Sequence, residues 1–144
     1  NWVRLRDRKS GAEFRVLDIH LDHKSDDARR EQMKMIVGEC AQYADGFPQI
    51  ICGDFNSGIE NAPVACLRDA GWQEAYEAVH GPGEAGFTYH GFKGPDYRKK
   101  NARRIDFIFV RGNLQPVAAE ILRDKVDGLY PSDHYFLMSD FIIQ

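Results

Sequence analysis

Apolar and polar positions alternate in several stretches of this chain and follow a helical period in one. Trp2-Val3-Arg4-Leu5-Arg6 alternates in the manner of a half-buried strand, and Asp7 to Gly11 (DRKSG) reads as a turn. Phe14 to Leu21 is a second strand, so residues 2–21 predict a hairpin. Ser25-Asp26-Asp27 offers a helix cap with acids in the first turn. From Ala28 to Ala44 the apolar set Ala28, Met33, Ile36, Val37, Cys40, Ala41 and Ala44 falls near helical spacing, and Gly46-Phe47-Pro48 stops it. A strand over 49–55 follows. Pro63 opens a short helix through Val64, Leu67 and Ala70, ending at Gly71. Residues 80–101 are rich in glycine and proline and lack a period. They predict a long surface loop with FTYHG (87–91) as a short strand. Arg104–Val110, Pro116–Leu122 and Tyr135–Ile143 are further strands. The order predicts an α+β fold: a mainly antiparallel sheet with two inserted helices on one face.

Length and composition narrow the class without naming an activity. The 144 residues fit one domain with a real core, and 43% apolar with 28% charged residues is ordinary for a globular protein. A net charge of −3 excludes a generally basic nucleic-acid coat protein but leaves room for a local basic groove. Nowhere do 18 apolar residues run together, so no membrane-spanning helix is expected. The chain starts at Asn1 rather than methionine and reads as cut or processed. Cytoplasmic and secreted settings both stay open. Cys40, Cys52 and Cys66 are scattered and odd in number, which indicates neither a disulfide framework nor a zinc site. Cys52 lies in an apolar strand and is expected to be buried.

The candidate chemistry sits where apolar strands meet polar residues. In IICGDFNSG (50–58), Asp54 and Asn56 are two apart and would share one side of a strand, with Phe55 turned into the core. A turn and a site are equal readings of that stretch alone. VLDIHLDH (16–23) ends a strand on His20, with His23 beyond it. RRIDFIF (103–109) plants Asp106 within an apolar strand, where a carboxylate is costly unless paired, and an imidazole would suit it. YPSDHYF (130–136) puts Asp133-His134 before the last strand. Each has an ordinary structural reading as a core histidine, a loop cap or a turn. Together, at strand ends, they point to one site. DYRKKNARR (96–104) holds Tyr97 and the basic residues Arg98, Lys99, Lys100, Arg103 and Arg104. A polyanion groove and a solvated loop both fit it.

In chain order, the histidine of IHLDH, GDFN, RIDFIF and PSDH resemble the endonuclease/exonuclease/phosphatase superfamily, the deoxyribonuclease-I-like fold. The resemblance covers nearly the whole chain, but members are about twice as long. Residues 1–144 resemble the C-terminal half of a four-layer α/β/β/α sandwich. The N-terminal half, with an asparagine and a metal-binding glutamate, has no counterpart here. The resemblance implies a metal-dependent phosphoester hydrolase, nuclease or phosphatase, using Mg²⁺ or Mn²⁺. His134 would be the base for the attacking water and Asp106 its orienting carboxylate. Asp54 and Asn56 would position water and phosphate, and His20 would be a second histidine at the phosphate. Asp54 and Asp133 would touch the metal. Arg29, Arg104, His23 and His90 are candidate substrate contacts, with Asp22 at the rim. The substrate is a phosphate ester, nucleic acid included; the residues do not choose among DNA, RNA, nucleotide, lipid headgroup and sugar phosphate. The alternative is a non-catalytic binding or assembly half. On either reading, one sheet face expects a partner: the N-terminal half of the same fold or a second copy.

Overall fold

The computed structural model describes residues 1–83, 86–97, 100 and 102–144. Strand β1 (Trp2–Arg6) pairs antiparallel with β2 (Glu13–His20), as the hairpin pattern predicts. Helix α1 (Asp26–Cys40) then carries the chain across to β3 (Gln49–Asp54), which lies parallel to β2. A parallel neighbour requires such a crossover. Ser25 caps the helix by accepting the Ala28 N–H at 3.1 Å. The helix stops at Cys40, short of Ala44, and the Gln49 side-chain amide donates to the Cys40 carbonyl at 3.1 Å. That bond satisfies one of the carbonyls a helix end leaves open.

Helix α2 (Ala62–Asp69) has proline in its first turn, as expected. It leads to a short β4 (Gln73–Glu74) and helix α3 (Ala75–His80), which the sequence pattern did not announce. The Glu74 carboxylate starts α3 by accepting the Glu77 N–H at 2.7 Å. The 87–91 piece forms no strand; its one sheet-like pairing is an isolated bridge between Tyr89 and His134. Strand β5 (Asp106–Arg111) pairs antiparallel with β3 and β4, giving the order β1-β2-β3-β5-β4. Strands β6 (Leu114–Leu122) and β7 (Phe136–Ile143) form a separate antiparallel pair.

The two faces of the large sheet are covered differently. One carries Leu17, Ile51, Phe55, Phe107 and Phe109 against α1 and α2, through Met33, Cys40, Val64 and Leu67. The other carries Phe14, Val16, Ile50, Ile108 and Val110, which meet Leu114, Phe141 and Ile143 of the β6–β7 hairpin. The chain therefore supplies two strands of a second layer, and the inner face is not wholly bare. Beyond the hairpin it stays open. The strand expected at β1 is found, but all of it is exposed rather than half-buried: it is an edge strand, touched on its side chains by Arg15 against Trp2 and by Phe47 against Arg4. Cys52 is half-buried rather than buried, since it lies on the open part. The accessible surface is 8618 Å². The usual area-to-mass relation gives about 7,500 Å² for a 16.5 kDa monomer.

Phe107 anchors the covered face: it is fully buried and meets Phe55 edge-on at 5.2 Å between ring centroids. Phe107→Ala is expected to cost ~3–5 kcal/mol, as aromatic truncation in a close-packed core does. Urea unfolding measures it, and a cost below ~1 kcal/mol would mean the site is far looser than described.

Candidate active site

Three strands deliver polar residues to one end of the sheet in a single row. His20 ends β2 opposite Asp54, which ends β3, and Asp54 lies opposite Asp106, which starts β5. Paired residues on neighbouring strands point to the same face. The row therefore crosses the open inner face, past the apolar part that the hairpin covers. His134, from the turn before β7, reaches the same end and places Nδ1 2.9 Å from Asp106 Oδ2. Asp18, His20, Cys52, Asp54, Asp106 and the stretch Ser132–Leu137 line one open cleft of about 520 Å³.

The electrostatics follow from this crowding. Asp54 Oδ1 accepts the Asn56 N–H at 2.7 Å, and Oδ2 lies 3.6 Å from His20 Nε2. Burial pushes the Asp54 carboxyl above its ordinary range and the charge of Asp106 adds to that; the Asn56 N–H pulls the other way. The hydrogen bond that Nδ1–H donates to Asp106 holds the His134 imidazolium above the ordinary histidine value, against its partial burial. With Nδ1 engaged by a carboxylate, Nε2 is the ring nitrogen left to take a proton.

The expected residues divide in their placement. His20, Asp54, Asp106, Asp133 and His134 meet at the cleft. Asn56 does not line it. Strand β3 ends at Asp54 and Asn56 has φ +48°, so the period of a strand no longer applies. The Asn56 side-chain amide instead donates to the Leu21 carbonyl at 2.9 Å, tying β3 to the loop after β2. Phe55 is in the core as expected. Arg29 is buried and donates to the Asp22 carbonyl at 2.7 Å and to the Asp26 carboxylate, clamping the start of α1 rather than facing the cleft. Arg104 precedes β5 and is fully buried between the rings of Tyr76 and Phe107. Glu74 holds it with two hydrogen bonds, at 3.0 and 3.2 Å, so it is not presented to a phosphate.

His90 is also fully buried, packed against Tyr130 and Tyr135, and its Nδ1 accepts the Gly94 N–H at 3.2 Å. His23 is exposed beside Asp22, whose carboxylate accepts the Lys24 and Ser25 N–H groups. Arg98 and Lys99 of the basic stretch lie outside the described residues. Lys100 and Arg103 are exposed, and the Arg103 stem passes over Gly58, beside the Asp54–Asn56 turn. Sequence reasoning missed Thr88 and Tyr89, which join the loop to the dyad. One hydroxyl in an aperiodic loop gives no pattern signal.

One ligand atom each of Asp54, Asp106 and His134 lie within 4.8 Å of one another. Asp133 lines the cleft but is not in that trio. The carboxylate oxygens suit a hard cation such as Mg²⁺ or Mn²⁺, which is typically held by one or two carboxylates, water and substrate oxygens. Asp106 is committed to His134 through Oδ2. Asp54 is the better donor, and this chain's residues fit part of a coordination sphere.

Comparison with known proteins agrees with the fold. The sequence profile of the endonuclease/exonuclease/phosphatase family matches residues 2–134, and the chain belongs to that family. No curated protein matches it significantly in sequence. Solved structures match in fold. A conserved protein of unknown function from Enterococcus faecalis V583 superposes with a TM-score of 0.85 at 24% identity, over 99% of this chain and 55% of that one. The mannosyl-6-phosphatase of Bacteroides thetaiotaomicron VPI-5482 gives 0.83 at 22% identity, over 98% and 55%. D. rerio TDP2, complexed with a single-strand DNA product, gives 0.74 at 18% identity, over 99% and 61%. The chain spans little more than half the length of these proteins.

The dyad has a measurable signature. His134 should titrate above the ordinary histidine value of about 6.5. Asp106→Asn should bring it down, because the partner that raises it is gone while burial remains. The sign for stability follows: the pairing contributes fully below about 6.5 and is lost as pH rises through the folded value. Imidazole resonances followed by NMR against pH check this. A His134 value unmoved by Asp106→Asn would break the pairing.

Proposed function

We propose that this chain carries the base and the phosphate-positioning edge of a metal-dependent phosphoester hydrolase. The observation that supports it most is the His134–Asp106 pair beside the His20–Asp54 row in one cleft. His134 Nε2 takes the proton of the attacking water. Asp106 fixes the tautomer with hydrogen on Nδ1 and stabilises the imidazolium that forms. His20, exposed at the end of β2, donates to a phosphoryl oxygen when protonated. Asp54 and Asp133 orient water and phosphate. A Mg²⁺ or Mn²⁺ held in part by Asp54 would supply charge for the phosphoryl oxygens.

The substrate is a phosphate ester. A structural relative named as a sugar-phosphate phosphatase and one solved with a DNA product support the class without choosing a member. The exposed Lys100 and Arg103 make a polyanion such as nucleic acid one candidate.

The open inner face supports a second reading, in which the chain acts through assembly. Among the described residues β6 and β7 pair only with each other, and this two-stranded layer packs on the large sheet by one face and leaves its other face open. Phe136, Met138 and Ile142 stand exposed in alternate positions along β7. We place here the N-terminal half of the same fold or a second copy. The two readings join if hydrolysis needs that second layer.

The test of activity uses the whole polypeptide with Mg²⁺ against sugar phosphates, nucleotides, single-stranded DNA, RNA and lipid-headgroup esters. His134→Ala should lower kcat on the accepted ester by at least ~10²–10⁴-fold, the usual worth of a general base. Asp106→Asn should lower it somewhat less. Near wild-type turnover in both variants would remove the dyad from the mechanism.

The test of assembly is sedimentation of residues 1–144 alone. The expected result is a species heavier than 16.5 kDa, or aggregation, with little or no hydrolysis. A folded monomer that turns over an ester would refute the need for a second layer.

A further inference from the structure

The dyad joins two segments that no shared strand pairing holds together. Asp106 starts β5, while His134 sits in the turn ahead of β7, in the other sheet. Neighbouring β4 pairs only with Phe109 and Val110, so it stops short of Asp106. The 88–91 stretch fills that gap. Thr88 is fully buried, and its hydroxyl oxygen accepts the Ile105 N–H at 3.1 Å and the Asp106 N–H at 3.3 Å. Its carbonyl accepts the Tyr135 N–H at 2.9 Å. Tyr89 bridges to His134 along the backbone and sets its ring edge-on to the imidazole at 5.1 Å. The His90 and Gly91 N–H groups donate to the Asp133 carbonyl at 2.8 and 3.0 Å. One residue thus holds the acid's backbone by its side chain and the histidine's segment by its main chain.

We propose that Thr88 is the positioning residue of the His134–Asp106 pair. The main-chain bonds to the 133–135 segment would survive any substitution. The two bonds to the start of β5 need an oxygen on the side chain. Without it, two part-buried amides lose their acceptor, and such groups are costly to leave unmade. The least costly relief is a small shift of the Ile105–Asp106 backbone towards another acceptor, which draws Oδ2 away from Nδ1. The catalytic consequence rests on the hydrolase reading above; the geometric consequence does not.

The experiment uses the whole polypeptide with Thr88→Val, which keeps the shape and removes the acceptor, and Thr88→Ser, which keeps the acceptor and removes the methyl. The first readout is the downfield proton resonance of His134 Nδ1–H, assigned by its absence in Asp106→Asn. The second is kcat and KM on whichever ester is accepted. Thr88→Val should lose or shift that resonance upfield and lower kcat by ~10–100-fold with KM within about threefold, the scale on which a misplaced group acts. Thr88→Ser should keep both near wild type. If Thr88→Val does not fold, Thr88→Ala, which also removes the hydroxyl acceptor and adds no bulk, should move both readouts the same way. An unchanged resonance in the folded Val or Ala variant, or a Ser variant as impaired as Val, overturns the proposal. If no ester is hydrolysed, the hydrolase reading fails while the resonance still decides the role of Thr88.

Discussion

The register of β2, β3 and β5 is the constraint on which the site depends. His20, Asp54 and Asp106 share a row only because Ile19 is paired with Gly53 and Gly53 with Phe107. A slip of one residue would turn a whole strand over and bury its polar end under the helices. The β2–β3 register keeps Leu17 and Ile51 on the helix-covered face, and the α1 crossover between the two strands is fastened at both ends. Arg29 grips the Asp22 carbonyl at its start and Gln49 the Cys40 carbonyl at its finish. Gly53 completes the lock: at φ +132° it approaches the Ile19 carbonyl so closely that a Cβ would collide with it. Arg29, expected to hold substrate, thus acts further back, in fastening the crossover.

The row then sets the electrostatics. Burial penalises the ionised form and the Asp106 carboxylate on the neighbouring strand adds repulsion, which is why Asp54 is held above its ordinary range. Asp106 escapes part of that cost by pairing with His134. Asp54 has a single N–H and a more distant His20. Asp54 is therefore the carboxylate that gains most from a cation, whether imidazolium or metal. Arg104 shows the contrast. Its charge is satisfied by Glu74 and two aromatic faces, leaving none to offer a ligand. A buried charge that is fully paired holds structure; one that is half-paired is available for chemistry.

Much of this was legible in the sequence where a local rule decides. VLDIHL and IDFIFV show strands by composition, and an acid inside such a strand must have a partner, which exposed Asp106 as a candidate before its histidine was placed. Rules of period fail where the element ends. Asn56 was assigned to the face of Asp54, but β3 had already stopped. Arg104 is expected in the same strand as Asp106, but β5 has not yet begun there. His90, expected as a substrate contact, is instead buried by the rings of Tyr130 and Tyr135, which lie far along the chain. Thr88 was invisible for the same reason, since its meaning lies in amides at 105 and 106.

The inner face of the large sheet is graded along its length, and that grading explains why it is partly open. At one end Phe14, Val16, Ile50 and Val110 lie under the β6–β7 hairpin, where apolar burial is favourable. Towards the other end Asp18 and Cys52 follow, then the row of His20, Asp54 and Asp106. Covering the polar end with an apolar layer would strand charges, so only a polar ligand or a polar edge of another layer can close it. The outer side of β7 and the whole of β1 have no such restriction, and they carry the exposed Phe136, Met138, Ile142, Trp2 and Leu5. The 8618 Å² of surface exceeds that of an ordinary monomer of this mass by about 1,000 Å². A standard protein interface removes ~800 Å² from each partner. One added layer over the apolar margins would therefore restore an ordinary ratio of surface to mass and leave the cleft as the one polar opening between two sheets.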